Sequence, residues 1–341
     1  MSKKKYPLLL VLLNTIFLTA APFSSNQVTS SSDSKSAECV MELNSRRVLY
    51  EAYSDIRLPM ASTTKIATAA TVLSLCNDIS KEIEIPAIAE GVEGSSVYLK
   101  QGDIYSVEDL LYGLMLRSGN DCATALAVNC SGNIPAFCLE MNKTGQKAGA
   151  FHTVFKNPHG LPCEGHYTTA KDLSLLTCYA MQNPIFCKIV ATKYYEPRNW
   201  KNKNKMLYNY EGAIGVKTGY TKEAGRCLVS AATRNNFTLV CTVLNCSDMY
   251  ERSSQLLNDA FDSYEYTQLL AKGQRFCIKT ERGDVLAKAE NDFYYPLLKE
   301  EKEYIEMKTY AYPKRSAQKI VGKIEIYLSK RLLFSANLYK L

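Results

Sequence analysis

The sequence is poor in histidine, with three in 341 residues. His152, His159 and His166 recur every seven residues but occupy loop positions that form no recognised ligand pattern, which argues against a metal centre. No cofactor motif is evident. Twelve cysteines fall far short of the composition of a small disulfide scaffold. No dense Lys/Arg stripe accompanies the net charge of +7, so nucleic acid is not an expected partner. No internal repeat is visible, and 46% hydrophobic with 22% charged residues excludes a collagen-like, coiled-coil or wholly disordered chain. The closing run carries Lys330, Arg331 and Lys340, so no transmembrane segment is expected there.

What is present begins with an export signal. Lys3, Lys4 and Lys5 precede an apolar run from Pro7 to Ala21 that Asn14 and Thr15 interrupt. That run is short for a membrane span and suits a secretory signal peptide over residues 1–25. Residues 26–36 read as a Ser-rich linker with nothing to bury. The expected location is extracytoplasmic, secreted or wall-associated, with membrane attachment only if the signal segment is retained.

Cys39–Leu43 and Val48–Ala52 read as a hairpin, and Ile66–Leu75 as a buried helix that is apolar nearly all round. Further helices are expected over Val107–Leu116, Asp121–Val128 and Thr169–Met181. The pattern then turns strand-like at Gly212–Val216, Cys227–Ala232 and Phe237–Leu244. Strands at both ends with helices between them predict an α/β unit, an antiparallel sheet packed on a helical cluster, over residues 37–261. Residues 262–341 alternate in short runs broken by Gly283, Pro296 and Pro313, which predicts a small all-β domain. The charge divides along the same line. Residues 262–341 hold 15 basic and 11 acidic side chains, whereas residues 26–261 hold 23 of each.

Three short motifs carry chemistry. Ser62 and Lys65 stand three apart at a helix start, on one face. A serine is a poor nucleophile until a base takes its proton, and a lysine can be that base when burial and other cations lower its pKa. Ser118-Gly119-Asn120 occupies a break between helices, and Lys217-Thr218-Gly219 ends a strand, where glycine admits the close approach of an extended peptide. Each motif alone is weak. Together, in this order, on helix, loop and strand, they form the signature shared by penicillin-binding proteins and serine β-lactamases.

Longer strings narrow the resemblance. Pro59-Met-Ala-Ser-Thr-Thr-Lys-Ile-Ala-Thr-Ala69, Leu114-Met-Leu-Arg-Ser-Gly-Asn-Asp121, Phe155-Lys-Asn-Pro-His-Gly-Leu161 and the run from Gly215 to Val229 resemble low-molecular-weight D-alanyl-D-alanine carboxypeptidases. The resemblance implies a fold of the β-lactamase/penicillin-binding type and a peptidoglycan stem peptide ending in D-Ala-D-Ala as substrate. It implies Ser62 as nucleophile, Lys65 as base, Ser118 as proton relay and Asn120 as holder of Lys65 and the substrate amide. Lys217 and Thr218 would take the terminal carboxylate, beside Gly219. The Ser62 and Tyr220 N–H groups would form the oxyanion hole. β-Lactams would acylate Ser62 and leave slowly.

Two other readings share part of this pattern. A serine β-lactamase carries the same motifs, and Glu196-Pro-Arg-Asn199 superficially resembles its deacylating loop, but it lies close to Lys217 and far past Asn120. A non-catalytic wall-binding or β-lactam-sensing protein is the other alternative, and the full set of catalytic residue types speaks against it. Lys193, Arg198, Lys201, Lys203 and Lys205 make the stretch before Lys217 basic, suited to a solvated face that meets an anionic wall polymer.

Overall fold

The computed structural model describes residues 36–280, 283–312 and 319–341. The expected signal segment 1–25, and the linker up to residue 35, lie outside the described residues. The main sheet has five antiparallel strands: β1 (Ala37–Glu42), β2 (Val48–Ala52), β3 (Ala213–Thr221), β4 (Gly225–Arg234) and β5 (Phe237–Leu244), in the order β2-β1-β5-β4-β3. Every residue of β1 and β5 is buried, because helices cover both faces. The side-chain period of two sorts these residues cleanly. Cys39, Met41, Cys227, Val229, Ala231 and Val240 face the helical cluster. Val40, Leu228, Ala232, Leu239, Cys241 and Val243 face the opposite layer.

The helical cluster holds α1 (Lys65–Leu75), α2 (Val107–Tyr112), α3 (Asn120–Ser131), α4 (Ile134–Ala148), α5 (Ala170–Ala180) and α6 (Pro184–Ala191). The opposite layer is α7 (Met249–Ser263), which buries Met249, Leu256, Leu257 and Ala260. The antiparallel sheet on a helical cluster is as expected, whereas α4, α6 and α7 go beyond the sequence reading. The eight residues from Lys65 to Val72 are all buried, so α1 runs through the interior and carries a lysine with it. The helix expected over Val107–Leu116 is regular only to Tyr112; Gly113–Arg117 form a π turn, and Ser118 follows in a left-handed conformation with φ 65°. Such wide turns re-aim the chain and recur at functional sites.

Beyond α7 the described residues form β-strands, apart from a 3-10 turn over Lys299–Tyr304. β6 (Glu265–Leu270) pairs with β9 (Phe293–Leu297). A second sheet holds β7 (Arg275–Thr280), β8 (Gly283–Ala289), β10 (Ile305–Ala311), β11 (Ile320–Leu328) and β12 (Arg331–Lys340), ordered β7-β8-β12-β11-β10 around its own apolar cluster. Arg47, in the β1–β2 turn, latches this module to the main sheet. Its guanidinium donates to both Glu301 carboxylate oxygens (2.9 and 2.5 Å) and to the Pro296 carbonyl (2.7 Å). The Tyr264 and Tyr295 rings each lie 5.2 Å from it.

All twelve cysteines are free. Cys178 and Cys227 are fully buried, and burial raises both thiols, Cys227 to about 12. They act as small apolar side chains. Among the described residues, no single helix is long and apolar enough to cross a membrane.

Candidate active site

Ser62 sits in a 3-10 turn, Ala61–Thr64, that leads directly into α1. Two hydroxyls brace that turn: Thr63 donates to the Met60 carbonyl (2.6 Å) and Thr64 to the Ala61 carbonyl (2.8 Å). His166 adds a further tie. The Lys156 N–H donates to its Nδ1 (3.0 Å), which leaves Nε2–H to donate to Thr64 Oγ1 at 2.9 Å. Burial pushes the His166 imidazole down to about 4, so this neutral tautomer persists at physiological pH.

Lys65 is the hub. Its Nζ donates to Ser62 Oγ (3.0 Å), Asn120 Oδ1 (2.7 Å) and the His159 carbonyl (2.7 Å), and the residue has no solvent exposure. Desolvation holds the amine well below the usual lysine range, and the nearby Lys217 cation adds to that effect. Lys217 is itself buried and pushed down to about 7, by desolvation and then by Lys203. Its Nζ donates to the Thr218 carbonyl (2.9 Å). A serine hydroxyl on a lysine amine driven toward its neutral form has the geometry of a nucleophile and its base.

Strand β3 lies at the edge of the sheet and passes the nucleophile closely. A Cβ on Gly219 would stand 3.0 Å from the Ser62 nitrogen and 3.1 Å from the Met60 oxygen. The unpaired edge offers backbone groups to an extended peptide. Tyr220 is 65% exposed at the mouth. A cleft of about 370 Å³ opens here, lined by Ser62, Asn120, His159, Gly160, Leu161 and Tyr220 among others.

Asn120 is fixed from both ends. Its Nδ2 donates to the Glu93 carbonyl (2.6 Å) and its backbone N–H to Ser95 (2.7 Å). The next residue, Asp121, is fully buried and holds the cleft lip, accepting from Ser96 Oγ (2.5 Å) and from the Val97 and Leu99 N–H groups. Ser118 is buried two residues before Asn120, but among the described residues its hydroxyl makes no hydrogen bond to Ser62 or Lys65. Glu196 is exposed and does not line the cleft.

The 155–161 string had no assigned role from sequence, and its role is structural support of Lys65. Asn157 Oδ1 accepts from the His159 and Gly160 N–H groups (3.2 and 2.7 Å), which aims the His159 carbonyl at the amine. Thr68 of α1 donates to the Pro158 carbonyl (2.6 Å), closing the loop onto the helix. Gly160 has φ 90°, and a Cβ there would stand 1.9 Å from the Ala61 oxygen. Gly160→Ala must therefore push the Ser62 turn aside. The expected result is a loss of about 100-fold or more in the rate of covalent modification at Ser62, since displacements near 1 Å cost that much; an unchanged rate would show that the loop does not support the turn.

The family model for D-alanyl-D-alanine carboxypeptidases (peptidase family S11) matches residues 23–248. The chain is 32% identical over 266 residues to the D-alanyl-D-alanine carboxypeptidase DacF of Bacillus subtilis, covering 74% of this chain and 68% of that protein. Among solved structures, penicillin binding protein 5 from Haemophilus influenzae superposes with a TM-score of 0.75 at 26% identity, over 93% of this chain and 98% of that one. A variant of the Streptomyces K15 DD-transpeptidase superposes with a TM-score of 0.63 at 32% identity, over 69% and 99%.

Proposed function

The chain belongs to the D-alanyl-D-alanine carboxypeptidase family, and on that premise we infer a serine-type hydrolase that removes the terminal D-Ala from peptidoglycan stem peptides. Ser62 Oγ attacks the carbonyl carbon of the penultimate D-Ala while its proton passes to neutral Lys65. The tetrahedral oxyanion rests against the Ser62 and Tyr220 N–H groups. Collapse breaks the peptide bond, and the departing D-Ala amine takes its proton through Ser118. Asn120 holds Lys65 and the substrate amide; Lys217 and Thr218 receive the terminal carboxylate, with Gly219 leaving room for the peptide. Water then hydrolyses the ester. Penicillins acylate the same serine. The observation that carries this reading is the 3.0 Å contact between Ser62 Oγ and the dehydrated Lys65 amine.

Action on peptidoglycan makes the protein extracytoplasmic. Its residues 1–25 are proposed to be the signal that takes it there, with 26–36 as linker, 37–261 as the peptidase unit and 262–341 as an appended module. A retained signal segment would hold the protein at the membrane.

Incubation with a fluorescent penicillin and with diacetyl-L-Lys-D-Ala-D-Ala tests the assignment. Stable labelling with D-Ala release is expected. Fast penicillin turnover without D-Ala release would make it a β-lactamase, and neither event would leave a binding protein. The pH profile gives a second check. Lys217 loses its proton as pH rises through about 7 in the free enzyme, so kcat/KM for the carboxylate-ended peptide falls on the alkaline side. The C-terminally amidated peptide should lack that limb. Identical profiles for both peptides would remove Lys217 from carboxylate binding.

A further inference from the structure

A second cleft, of about 500 Å³, opens where the β1–β2 turn meets the C-terminal module, away from Ser62. That is the volume of a small-molecule site. Its walls combine the rings of Tyr266, Phe293 and Tyr294 with the polar groups of Asn44, Asp292 and Arg331. The rings are set before any ligand arrives. Tyr266 stacks on Phe237 at 5.0 Å and on Tyr294 at 5.3 Å, and Phe293 stacks on Phe334 at 4.3 Å. Tyr294 is still 38% exposed.

The polar groups are held as well. Asn44 Nδ2 donates to the Tyr266 hydroxyl (3.2 Å). Asp292 Oδ1 accepts from Gln268 Nε2 (2.9 Å) and the Lys272 N–H (2.8 Å), which orients the carboxylate. Arg331 is exposed and enters no ion pair among the described residues. The Arg47–Glu301 latch keeps the two walls in register.

We propose that this cleft binds a saccharide, the glycan backbone of the wall polymer whose stem peptides the Ser62 site trims; the choice of polymer rests on that functional reading. A pyranose ring presents an apolar C–H face bounded by hydroxyls. The apolar face matches a tyrosine ring, and the hydroxyls match a carboxylate, a guanidinium and an amide. A lipid or an apolar peptide would strip water from the Asp292 carboxylate and the Arg331 guanidinium and offer neither a polar group in return, which is costly. A polyanion would meet the Asp292 carboxylate. Rings already fixed by stacking lose little freedom on binding, which favours affinity. The module then tethers the enzyme to its insoluble substrate and raises the local concentration of stem peptides at Ser62.

The test uses the full chain with two probes, an N-acetylglucosamine tetramer and glycan strands stripped of stem peptides, followed by calorimetry. Both are expected to bind, and Tyr294→Ala and Asp292→Asn each to weaken binding by about tenfold. D-Ala release from the soluble diacetyl peptide should be unchanged in both variants, while release from intact wall should fall several-fold. Absence of binding at millimolar probe, or binding unaffected by either variant, overturns the proposal. So does a Tyr294→Ala phenotype confined to self-association in sedimentation. Sugar binding by a protein that releases no D-Ala would sink the activity reading and leave the cleft standing, so the two failures are distinguishable.

Discussion

Ser62→Ala should abolish covalent labelling by penicillin and lower kcat/KM for D-Ala release by at least about 10⁴-fold, the scale on which removal of a serine nucleophile is felt. The size of the effect follows from the absence of a substitute. Thr63 and Thr64 are adjacent hydroxyls, but both are engaged with backbone carbonyls of the same turn at 2.6 and 2.8 Å. Among the hydroxyls of the described residues, only Ser62 Oγ is hydrogen-bonded to the Lys65 amine. The substitution removes one atom from a partly exposed side chain, and the carbonyls that brace the turn keep their donors. Thermal stability should therefore barely change, and the variant should still bind substrate through Lys217, Thr218 and Asn120 without turning it over. Intact-mass measurement after penicillin treatment reads this directly. A penicilloyl adduct on Ser62→Ala would move the nucleophile elsewhere.

Much of this site was legible because chemistry-bearing side chains cluster in short strings. Ser62, Lys65, Asn120 and Lys217 announce themselves by type and order, and the near-continuous apolar, uncharged runs Cys227–Ala232 and Phe237–Leu244 are the mark of strands covered on both faces. What escaped falls into two kinds. The helix α7 left a readable signal, apolar residues at Met249, Leu256, Leu257 and Ala260 on one stripe, yet its polar remainder obscured it. The π turn before Ser118 and the His159 carbonyl on Lys65 left none, since backbone geometry and main-chain oxygens have no residue identity. His166 acts on the nucleophile's turn from 102 positions away in sequence, a proximity that only the fold creates. The Arg47 latch is of the same kind: the sequence gives no reason to pair a hairpin arginine with Glu301.

Lys65→Met should reduce acylation by about 10²–10⁴-fold, the worth of a positioned general base. The same change should alter how stability depends on pH. In the unfolded chain this amine keeps its proton up to about pH 10.4. In the folded chain desolvation, with Lys217 nearby, makes it release the proton well below that. Between those two limits the unfolded state binds more protons, so wild-type stability rises with pH across the window and is lowest on its acid side. Methionine does not titrate, and its variant lacks this contribution. It does leave Asn120 Oδ1 and the His159 carbonyl without the amine they accept from, at a cost of about 1–3 kcal/mol for each group left unsatisfied. The two effects oppose each other, and pH decides between them. Relative to wild type, the variant's melting temperature should be most favourable on the acid side of that window and decline as pH rises across it, where the native amine becomes neutral in wild type. Lys65→Arg should not rescue acylation, since a guanidinium stays charged throughout. Undiminished labelling in Lys65→Met would end its role as base. A pH-independent difference in melting temperature would show that the native amine keeps an ordinary lysine pKa, and the neutral-base mechanism would lose its foundation.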